Sequence, residues 1–60
     1  MANFNLSELN SIREAVTTHQ MMANKLSDYA NQCQDPQIKQ LFTQASSGAR
    51  TAAANLTQML

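Results

Sequence analysis

The only proline and the only glycine in this chain of 60 residues are Pro36 and Gly48. Because these two residue types disfavour the helix interior more than any others, the sequence leaves room for long uninterrupted helices. No stretch alternates apolar and polar residues as a half-buried strand would. The sequence therefore predicts an all-α protein whose main break lies at the proline.

The first predicted helix has a well-defined start. Asn5 suits the N-cap, and Glu8, three residues later, completes a capping box. Phe4 is placed to pack on Leu9 as a hydrophobic staple. Residues then recur at alternating spacings of three and four, the heptad pattern of a helix that packs on other helices. This predicted seam consists of Leu9, Ile12, Val16, His19, Ala23, Leu26, Ala30 and Cys33, flanked by Ala15, Met22 and Tyr29.

A short corner at Gln34-Asp35-Pro36 separates the two helices. Asp35 suits the N-cap of the second helix, and Pro36 suits its first position, where a missing N–H is not needed. We expect a single domain over residues 1–60, with the first helix at about 6–33, the corner at 34–36 and the second helix at about 36–60. So short a connection makes the helices antiparallel neighbours.

The second helix continues the heptad pattern. Its predicted seam consists of Ile38, Phe42, Ala45, Ala49, Ala52, Leu56 and Met59, flanked by Leu41, Ala53 and Leu60. Gly48 costs about 1 kcal/mol relative to alanine in a helix interior. A break near Ser47-Gly48, which would give three short helices, is therefore the structural alternative.

Chain length favours association. A domain of this size buries only about 60% of the surface that its unfolded chain exposes, so its core is marginal unless a disulfide, a metal or a partner adds stability. Cys33 is the only cysteine, and His19 the only histidine. We therefore expect a homodimer, or a dimer of dimers, in which two hairpins form a four-helix bundle. The predicted oligomer interface comprises Leu9, Ile12, Val16, His19, Met22, Leu26, Tyr29, Ile38, Phe42, Ala45, Ala49, Ala52, Leu56 and Met59.

Charge and composition argue against several partners. Four basic and four acidic residues leave no basic stripe for nucleic acid. Apolar runs are too short to span a bilayer, and Met1–Asn5 lacks the features of a signal peptide. With an unpaired cysteine, this composition predicts an intracellular protein.

Catalytic and metal-binding patterns are missing as well. His19 and Cys33 lie about 21 Å apart along one helix, so only contact across a dimer could bring them together as a base and a nucleophile. The second helix has no acidic residue after Asp35, so it cannot supply the Glu and Glu-x-x-His ligands of a bundle di-metal site. We expect no catalytic, cofactor-binding or metal-binding residues, and no enzyme activity.

The middle of the second helix, residues 45–53, is rich in alanine, serine and glycine. In an antiparallel hairpin it faces the part of the first helix that holds His19, Met22 and Tyr29. Packing of large residues on small ones is one interpretation. The alternative is a binding module that holds a small ligand or a partner helix against this segment.

Residues 29–42, from Tyr29 through Asp35-Pro36 to Phe42, resemble the helix-corner-helix segment of small spore coat proteins of the coat-F type. Leu56 and Leu60 match the leucines that usually end such chains. The resemblance implies a ferritin-like helical structure, an architectural role in the spore coat and other coat proteins as partners. Family members often carry Glu near the place of His19 and histidines near Ala49 and Ala52, which argues against metal binding in this chain.

Overall fold

The computed structural model describes residues 3–60, so the first two residues of the predicted domain lie outside the described part. In residues 3–60 there are two helices and no strand: α1 spans Leu6–Gln32 and α2 spans Pro36–Gln58. They pack side by side as an antiparallel hairpin of 46 × 16 × 9 Å. The predicted all-α hairpin is confirmed, and its pairing with a second hairpin stays a prediction.

The start of α1 is held by the predicted capping box. The Asn5 side chain accepts a hydrogen bond from the Glu8 N–H at 2.8 Å, and the Glu8 carboxylate accepts one from the Asn5 N–H at 2.9 Å. These bonds satisfy backbone donors that have no partner inside the helix. The staple between Phe4, which is half-buried, and Leu9 stays a prediction.

The corner follows from two local features. The Cys33 N–H closes α1 by donating to the carbonyls of Tyr29 and Ala30, while its own backbone is already extended. Asp35 caps α2: one of its side-chain oxygens accepts hydrogen bonds from the N–H groups of Gln37 and Ile38 at 2.8 and 3.1 Å. Pro36 occupies the first turn of α2, as predicted.

Gly48 does not interrupt α2, so the three-helix alternative is wrong. Its backbone is helical rather than left-handed. A Cβ atom at this position would meet nothing within 4 Å inside the hairpin. The packing of α1 on α2 therefore does not require a glycine here.

Small residues form the contact between the helices. The buried set is Ala23, Ala30, Ser46, Ala49 and Ala53, and none of the large side chains described is fully buried. The Ser46 hydroxyl donates a 2.8 Å hydrogen bond across the hairpin to the Ala23 carbonyl. This bond places Ser46 level with Ala23 and sets the register of the two helices.

The contact line on α2 lies one residue beyond part of the predicted seam. Ser46 and Ala53 are buried, whereas Ala45 is exposed and Ala52 is half-buried. Both lines consist of small residues, so side-chain size does not distinguish them. Only the line through Ser46 also provides a donor for the Ala23 carbonyl.

We expect Ser46→Ala to lower the free energy of unfolding by about 1 kcal/mol, because it removes one buried hydrogen bond. Ser47→Ala is the matched control, because Ser47 is exposed and its replacement by alanine gives the same gain in helix propensity. Chemical unfolding of both variants at one protein concentration measures the difference. Equal stability of the two variants would show that the Ser46–Ala23 bond adds no net stability to the hairpin.

Candidate association surface

The hairpin has two broad faces, and the buried positions show which residues lie on each. In antiparallel helices lying side by side, the residue before each buried contact projects to one face of the pair, and the residue after it to the opposite face. The residues that follow buried positions are mostly polar: Asn24, Asn31, Ser47, Arg50 and Ala54. An open groove between the helices on this side is lined by Ser27, Asn31, Thr43, Ser47 and Arg50, among others. We call this side the polar face.

The opposite side carries apolar and small residues. Met22 and Tyr29 precede buried positions of α1, while Ala45, Gly48 and Ala52 precede buried positions of α2. Ile38 and Met59 lie one heptad beyond Ala45 and Ala52 on the same side of α2. Together these residues form the apolar face: Met22, Tyr29, Ile38, Ala45, Gly48, Ala52 and Met59.

The large side chains of the apolar face remain substantially in solvent. Met22, Tyr29, Ile38 and Met59 are between 41% and 48% exposed. Tyr29 is held by a tilted contact with the Phe42 ring, whose centroid lies 5.5 Å away. Leu41, beside Ile38, is 65% exposed. These side chains expose apolar surface on this side of the hairpin.

The accessible surface of the hairpin is large for its mass. The chain exposes 4639 Å² at 6.6 kDa. A compact monomer of this mass exposes about 3,900 Å². The difference is about 750 Å², so the hairpin exposes more surface than a compact monomer of its mass.

The fourteen residues of the predicted interface fall into three groups. Half of them lie half-buried along the helix–helix contact: Leu9, Ile12, Val16, His19, Leu26, Phe42 and Leu56. Six lie on the apolar face: Met22, Tyr29, Ile38, Ala45, Ala52 and Met59. Ala49 is buried within the hairpin. Their contact with a second chain stays a prediction.

Sequence reasoning missed two residues of this arrangement. Ser46 is the buried polar contact of α2, and Gly48 lies on the apolar face. Both positions can be assigned once the buried alanines are known. Ser46 lies seven residues before the buried Ala53, and Gly48 directly precedes the buried Ala49. The heptad pattern alone did not distinguish the two neighbouring lines of small residues.

His19 is half-buried, and its Nδ1 lies 2.7 Å from the Ala15 carbonyl oxygen. In the tautomer that makes this bond, Nδ1–H donates and Nε2 is left as an acceptor. A shallow depression beside His19 is lined by Ser11, Glu14, Ala15 and Thr18, all on α1. This depression lies on α1 and does not extend to the small residues of α2 that the ligand hypothesis required.

The chemical groups of the hairpin are dispersed. In the described residues no three His, Cys, Asp or Glu side chains are grouped so as to hold a metal ion. Over the same 58 positions, every buried side-chain nitrogen or oxygen has a hydrogen-bond partner. Neither α1 nor α2 has the length and hydropathy needed to cross a membrane.

Comparison of the chain with protein-family models, with curated proteins and with solved structures found no match.

We expect His19→Leu to tighten self-association by about three- to tenfold, because it replaces a half-buried polar ring with an apolar side chain of similar reach. The carbonyl of Ala15 keeps its place in the helix ladder in this variant. His19→Gln, which keeps a polar side chain, serves as the control and should associate like the wild type. Sedimentation equilibrium measures both dissociation constants. Weaker association of the leucine variant would contradict the seam role of His19.

Proposed function

We propose that this protein is a non-enzymatic assembly module whose hairpin pairs with a second copy through the apolar face, giving a four-helix bundle. The observation that carries the proposal is the apolar face itself, with its four large, roughly half-exposed side chains. Bundles bury such faces by docking two layers of helices on a common core.

A second copy fits this surface better than a charged partner does. None of the seven residues that define the apolar face is charged, and the chain has a formal net charge of zero. Such a face has no electrostatic preference for a partner of opposite sign. Its match is another flat, uncharged helical face, which a second hairpin provides under twofold symmetry.

The composition of the contact inside the hairpin also favours a second layer of helices. Among residues 3–60, the buried side chains are four alanines and one serine. Burial of Met22, Tyr29 and Ile38 against a partner would therefore supply most of the large-residue core.

We further propose a coat-associated, architectural role in a spore-forming bacterium, with other coat proteins as partners. This part of the proposal is supported by the resemblance of residues 29–42 to coat-F type proteins. An architectural role requires contacts beyond one dimer interface. Met21, which is 67% exposed, lies two residues before the buried Ala23 and so points away from α2. Met21 therefore offers an apolar contact outside the apolar face.

The decisive comparison uses two adjacent methionines. We expect Met22→Glu to raise the dimer dissociation constant at least tenfold, because it places a carboxylate within the uncharged interface. Met21→Glu adds the same charge to the same helix outside the apolar face, and we expect less than a threefold change. Sedimentation equilibrium over a wide concentration range, with circular dichroism on the same samples, measures both constants and the helicity of the wild type.

A wild-type chain that stays a folded monomer at the highest concentrations would refute self-association. In that event a partner helix or a small ligand would be the occupant of the apolar face. An equal effect of the two glutamate variants would also refute the proposed surface, since the charge would then act without regard to position.

A further inference from the structure

We draw no further inference here: the strongest candidate, the apolar face around Gly48, belongs to the surface already described, and nothing in the structure shows what covers it.

Discussion

The close contact between two rows of small residues underlies the rest of this structure. Ala23 and Ala30 on α1 meet Ser46, Ala49 and Ala53 on α2, and these five residues are the buried ones. Small side chains let helix backbones approach closely, and at that distance the Ser46 hydroxyl reaches the Ala23 carbonyl at 2.8 Å. A bulkier side chain in this line would separate the helices and break the bond. Close approach and register are therefore set by the same residues.

A contact made of small residues also leaves the large ones incompletely covered. Leu9, Val16 and Leu26 lie along it but are only half-buried. The hairpin measures 9 Å across its thinnest dimension, so it forms a single layer of helices. Domains normally enclose a core between two layers. The one-layer construction accounts both for the excess of accessible surface and for the apolar face.

Much of this fold could be predicted from the sequence, because its determinants are local. The Asn5–Glu8 capping box, the Asp35 cap and Pro36 in the first turn are short-range features, and the structure has all three. The α1 heptad seam also lies along the contact. The line of contact on α2 could not be predicted, because α2 has small residues on two adjacent lines. The choice between Ala45 and Ser46 depends on a hydrogen bond to a residue 23 positions away.

α2 has two lines of small residues, and only one of them is buried within the hairpin. Ser46, Ala49 and Ala53 are used within the hairpin, whereas Ala45 and Ala52 are left on the apolar face beside Gly48. A Cβ at Gly48 would touch nothing in the hairpin, and glycine is unfavourable in a helix interior by about 1 kcal/mol relative to alanine. The intramolecular packing therefore offers no compensation for glycine at this position. A close approach of a second α2 helix would provide one, because the absent side chain would lie in the interface between the two copies. Gly48 is thus left unexplained by the packing of the single hairpin, and the proposed dimer would account for it.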